Sequence, residues 1–123
     1  MKQLLLLIGL STLVFSASDC KEKKTEASFK GRLEVAGICM NYTISVLEGS
    51  PGADAVEDSW TDEVSGKEYK NVFRLGNPCD FPSDIKAGDE FKFVIDTAKG
   101  KICAVCMAYY PTPSRALSIK VLK

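Results

Sequence analysis

From Phe29 to Val35 the chain alternates without a break: Phe29, Gly31, Leu33 and Val35 fall on one side, Lys30, Arg32 and Glu34 on the other. Successive side chains of an extended backbone point to opposite faces, so this period-two pattern describes a half-buried strand and excludes an amphipathic helix. The apolar phase then flips, because Ile38, Met40, Tyr42, Ile44 and Val46 are even-numbered. A one-residue change of phase needs a turn or a bulge, and Ala36-Gly37 is its expected place. Residues 29–47 are therefore either a hairpin or one long bent strand.

Further short apolar runs follow, separated by turn residues. Tyr69–Leu75 ends at Gly76-Asn77-Pro78, and Lys86–Asp89 leads into Glu90–Asp96, where Phe91, Phe93 and Ile95 share a face. Lys99-Gly100 is expected to close a hairpin to Ile102–Tyr110. That run carries no charge, so it is predicted as a central strand buried on both faces. After Pro111–Ser114 the chain ends in one alternating strand over Ala116–Val121. Between Gly49 and Gly66 the pattern weakens to a long surface loop pinned by Trp60; a short helix through Val56, Trp60 and Val64 is the competing reading.

Five to seven short strands with no long helix predict an all-β domain. A small β-barrel of the oligosaccharide/oligonucleotide-binding (OB) type is preferred, with an immunoglobulin-like sandwich as the alternative. Cys39, Trp60 and Cys103 come in immunoglobulin order. However, Lys101 stands two residues before Cys103, where that fold places its corner tyrosine.

The amino terminus belongs to none of these strands. Leu4–Phe15 is an apolar run behind Lys2, too short for a helix that must carry ~20 residues across the bilayer. Polar residues from Asp19 onward prevent its extension, so it reads as a cleaved export signal. Ala17-Ser18-Asp19-Cys20 resembles the lipobox of bacterial lipoprotein signal peptides, with Ala17 where leucine is usual and Asp19 where a small residue is usual. The resemblance implies that Cys20 is acylated as the first mature residue, holding the protein to a membrane through lipid. Lys21 in place of an aspartate implies the outer membrane. Ordinary cleavage after Ser16 or Ser18 would instead give a soluble periplasmic or secreted protein. The chain thus divides into a signal peptide (1–19), a lipidated cysteine with a flexible tether (20–28) and a single β domain (29–123).

With Cys20 acylated, Cys39, Cys79, Cys103 and Cys106 form an even set suited to an oxidising compartment. Cys103-Ala-Val-Cys106 has the spacing of a redox motif, but no charged neighbour inside the run would lower a thiol pKa. On a strand the two cysteines stand ~10 Å apart, beyond the ~7 Å that a disulfide can bridge. Their expected partners are therefore Cys39 and Cys79, in either of two pairings. Each such staple is worth roughly 3–4 kcal/mol in the chain-entropy model. Competing uses of the same four cysteines are a thiolate zinc site, thiol exchange, and soft-metal binding assisted by Met40 and Met107.

Histidine is absent, which removes the usual general base and every Ser-His-Asp or Cys-His scheme. Sixteen cationic and sixteen anionic residues balance, and no basic run follows the tether, which argues against nucleic acid as a partner. The acids from Glu48 to Glu68 match no calcium-loop spacing. Tyr109 and Tyr110 are candidates for an aromatic ligand rim, with core packing as the plainer reading. No catalytic residue, metal site or cofactor is assigned. The expected function is a non-enzymatic binding or structural role at the bacterial envelope, towards an unidentified protein or small ligand. Thiol redox or metal handling through the four cysteines is the alternative.

Overall fold

A computed structural model describes residues 27–123; the expected signal peptide, Cys20 and most of the tether lie outside the described residues. The fold is all-β. Its strands are β1 (Phe29–Gly37), β2 (Asn41–Glu48), β3 (Glu57–Thr61), β4 (Glu68–Leu75), β5 (Glu90–Ile95), β6 (Ala116–Leu117) and β7 (Ile119–Leu122). They form one sheet in the order β3-β4-β2-β1-β5-β7, and β6 pairs with β4.

β1 and β2 are an antiparallel hairpin with a register shift between Leu33 and Val35. The phase flip read from the sequence is completed not at Ala36-Gly37 but in the next three residues. Ile38–Met40 form a single 3-10 turn in which Cys39 and Met40 take φ of 58° and 59°. That left-handed region is sparsely used by residues other than glycine.

The buried cluster joins Phe29, Leu33, Ile44, Phe73, Phe91, Phe93 and Ile119. Phe93 is its centre, with ring centroids 5.5 Å from Phe29, 5.9 Å from Phe73 and 6.0 Å from Phe91. Gly31 makes this possible, since a Cβ there would lie 2.9 Å from the Phe93 ring. On the opposite face of β2 and β4, Thr43, Ser45 and Val72 are also buried.

Several sequence expectations are corrected. Ile102–Tyr110 is neither a strand nor buried, and Lys99-Gly100 closes no hairpin. The strand that lies antiparallel to β5 is β7, from Lys92↔Leu122 to Ile95↔Ile119. With that position filled, the charge-free run passes outside the sheet, and its apolarity is displayed rather than packed. The 49–66 region is likewise not all loop or helix, because β3 pairs with β4 and stacks Trp60 on Tyr69 at 6.0 Å.

The expected last strand is split at Ser118. β6 runs parallel to β4, and β7 then crosses to β5. Buried Asn77 holds the crossing point: its Nδ2 donates to the Ile119 carbonyl at 2.8 Å, and its Oδ1 accepts from the Ile119 N–H at 2.9 Å. Both backbone groups are thereby satisfied where no neighbouring strand can reach them.

Candidate functional site

The chain leaves β5 at Asp96 and does not rejoin the sheet until β6. Along this connection it is fastened at short intervals. The Lys101 N–H donates to both Asp80 carboxylate oxygens, at 3.3 and 3.2 Å. Cys103 is bonded to Cys79, with Cα atoms 5.6 Å apart, and Cys106 to Cys39, at 5.0 Å. Asn41 Nδ2 donates to the carbonyls of Ala108 at 3.1 Å and Ile38 at 2.8 Å. Finally, the Tyr110 ring lies over Gly37, where a Cβ would come within 2.8 Å of it.

Cys103 and Cys106 are thus joined to remote segments and not to each other. Strand spacing is not what separates them, because residues 102–110 form no strand. Divergence holds for a different reason: Asp80, Cys79, Cys39 and Asn41 draw successive points of an extended loop onto the sheet's end.

What is left between the fastenings faces solvent. Ile102 is 101% exposed, Met107 96%, Tyr109 81% and Val105 45%. From Val105 to Tyr110 the even residues are attached and the odd ones project, the alternation expected of extended backbone. Ile38 and Met40, on the β1–β2 turn, add two more exposed apolar side chains. Beneath the loop lies an open cleft of about 410 Å³, walled by Met40, Asn41, Arg74, Leu75, Val105 and Met107, with Tyr109 at its edge.

The two tyrosines of the expected rim part company. Tyr109 reaches solvent beside the cleft, whereas Tyr110 turns inward and its hydroxyl donates to Asp62 Oδ2 at 2.9 Å. Asp62 is 1% exposed and also accepts from the Val64 N–H at 2.9 Å and the Ser65 hydroxyl at 3.0 Å. Burial pushes the Asp62 carboxyl up, but the donors from Val64, Tyr110 and Ser65 outweigh it and hold its pKa below the ordinary aspartate value. The same hydrogen bond raises the Tyr110 phenol, because donating to a carboxylate favours the protonated form. A little further on, Glu57 accepts from the Ser114 N–H at 2.7 Å and from the Ser114 hydroxyl, which depresses its carboxyl.

The acids that crowd the 48–68 region therefore act mainly as internal acceptors: Glu57 and Asp62 hold the loop's far end, Asp54 meets Arg115, and Glu68 meets Lys70. In the sequence Asp62 stands out only as one of the 48–68 acids weighed for calcium, and nothing there marks Asp80, Asn41 or Arg74 as site residues. Asp62 alone carried a local signal, as Asp62-Glu-Val-Ser65-Gly66 has the composition of an Asx turn, and Gly66 closes it at φ 73°. No protein-family model, curated protein or solved structure matches this chain.

Proposed function

We propose that this chain is a non-enzymatic binding domain, exported and held at the outer membrane through lipid on Cys20, which presents the stapled 101–110 loop to a partner. One observation carries the reading: the loop holds Ile102, Val105, Met107 and Tyr109 outward on a backbone tied down by two disulfides. Burying one such side chain is worth about 1.5–3 kcal/mol, so a row of them is costly to leave in water. A rigid row also loses little conformational entropy on binding. The chain's last strands support an OB-type barrel as the scaffold. Pairing runs β1–β2–β4, passes through contiguous β6 and β7 to β5, and returns to β1. A sandwich needs two facing sheets, whereas these strands pair in one.

The test places a photo-crosslinking residue at Met107 in the intact envelope and, as a control, at exposed Lys92 on β5. Crosslinks are expected from position 107 only, and Ile102→Ser with Tyr109→Ser should abolish them. Equal crosslinking from both positions would sink the reading. Anchoring is checked separately: a fatty-acid label should enter the natural chain and not Cys20→Ser.

Thiol exchange is the second reading, favoured by the exposure of Cys103 and Cys106. Equilibration with glutathione decides it. Staples resist reduction at the envelope's redox poise, whereas an exchanging pair equilibrates with it.

A further inference from the structure

We infer that the cleft under the stapled loop seats an apolar segment of a partner protein that carries a carboxylate, with Arg74 as its ion-pair anchor. This inference rests on the binding role proposed above and adds the partner's chemistry.

The cleft carries a positive charge. Arg74 is the one charged residue among those walling the cleft, and no acid lines it. Its guanidinium makes no ion pair among the described residues, unlike Arg32 and Arg115, which are both engaged. A guanidinium offers a fork of donors that fits a carboxylate in two-point contact.

Hydrogen-bonding capacity is also left over in the cleft. Both donors of the Asn41 amide are spent on the Ile38 and Ala108 carbonyls. Its Oδ1 meets no donor among the described residues and can accept from the backbone N–H of an extended segment. Met40 and Met107 flank this pair, and thioether side chains adapt to varied apolar shapes.

Other occupants fit less well. The chain's own amino-terminal segment enters at Phe29, at the end of β1 away from Gly37 and the loop, ~26 Å off at ~3.3 Å per residue. A second copy docked symmetrically would set one Arg74 against a cleft that contains another Arg74 and no acid. A bilayer calls for a convex apolar tip backed by several cations, whereas this site is concave and holds a single fixed one.

The experiment selects a phage-displayed library of random nine-residue peptides against the full chain with both disulfides intact. Peptides that place Asp or Glu beside apolar residues should be enriched about tenfold over those with Lys or Arg there. Arg74→Glu should reverse that preference and Arg74→Gln should erase it, with unchanged near-UV circular dichroism confirming the fold. Met107→Ser should weaken every selected peptide.

If the same peptides emerge against Arg74→Glu, the carboxylate assignment is overturned while the loop remains a binding surface. If Met107→Ser leaves the selected peptides' affinity unchanged, the loop reading itself fails. Selection of no peptide at all overturns the inference, and binding to phosphatidylglycerol vesicles in that case would replace it with membrane docking.

Discussion

The sheet and the stapled loop use apolar residues in opposite ways. In the sheet, Phe93, Leu33, Ile44 and Phe73 are fully buried and held by one another. In the loop, Ile102, Met107 and Tyr109 touch little of their own chain and are held by sulfur and by hydrogen bonds to backbone. Burial stabilises a side chain and its backbone together, and it hides the side chain. Covalent attachment fixes the backbone and leaves the side chain free to meet something else. A small domain can therefore keep an apolar surface in water without that surface collapsing inward.

The widest contrast lies between single substitutions in the two regions. Phe93→Ala removes the ring on which three others pack and should cost about 4 kcal/mol. Ile102→Ala should change stability by no more than about 0.5 kcal/mol, as expected for a surface site away from structural features. Chemical denaturation of both variants measures this directly. A comparable loss at Ile102 would mean that the loop is packed after all, and the comparison would break.

Next in size is the disulfide between Cys79 and Cys103, whose sequence separation is 24. Replacing both with serine should cost about 3 kcal/mol in the chain-entropy model. The distribution of the effect matters more than its size. Amide exchange at Lys101 should accelerate well beyond the global change, because its acceptor Asp80 adjoins the lost bond, while β1 and β5 amides should follow global stability only. Uniform acceleration would show that the loop and the sheet are one cooperative unit.

Legibility in the sequence divides along the same line. The alternation from Phe29 to Val35 and the spacing of Phe91, Phe93 and Ile95 identified β1 and β5, because packing against one core imposes a period that survives in sequence. The loop misled for the same reason. Ile102–Tyr110 lacks charge, and lack of charge is the usual mark of burial, yet nothing in composition separates an apolar strand from an apolar display. What distinguishes them is whether a neighbouring strand is present, which is a property of β7 and not of the run itself. Arg74 and Asn41 were illegible for a further reason: each is an ordinary polar residue of a β-strand until the fold sets Met107 beside it.

Asp62 offers a smaller and pH-dependent probe of how the loop's far end is held. Asp62→Ala strands the donors of Val64, Ser65 and Tyr110 and should cost about 2 kcal/mol near neutral pH. Because its pKa is depressed in the folded chain, Asp62 contributes stability that is fully present above the ordinary aspartate value of 3.8 and is lost as the pH falls below it toward the depressed value. Denaturation midpoints of the natural chain and the variant should therefore converge on acidification. Midpoints that stay parallel down to that range would remove Asp62 as the loop's acid-sensitive fastening.

The smallest expected effect concerns a buried polar group of the sheet that holds nothing in place. Thr43 is fully buried, and its Oγ1 has no hydrogen-bond partner. In β2 it stands opposite Val35 on one side and Arg74 on the other. A buried hydroxyl without a partner forfeits its hydration and gains nothing in return. Valine has nearly the same shape and a methyl in place of that hydroxyl, so Thr43→Val should stabilise the chain, by under about 1 kcal/mol. The polar side chains that hold the loop differ in kind: Asn41 of β2 and Asp62 after β3 are each bonded more than once, and their loss should destabilise. A stabilising Thr43→Val beside a destabilising Asn41→Leu, read from the same denaturation series, would show that polar groups in this protein matter where they tie the loop down. If Thr43→Val is instead destabilising, the hydroxyl has a partner in solution, and the sheet's interior beside Arg74 admits water.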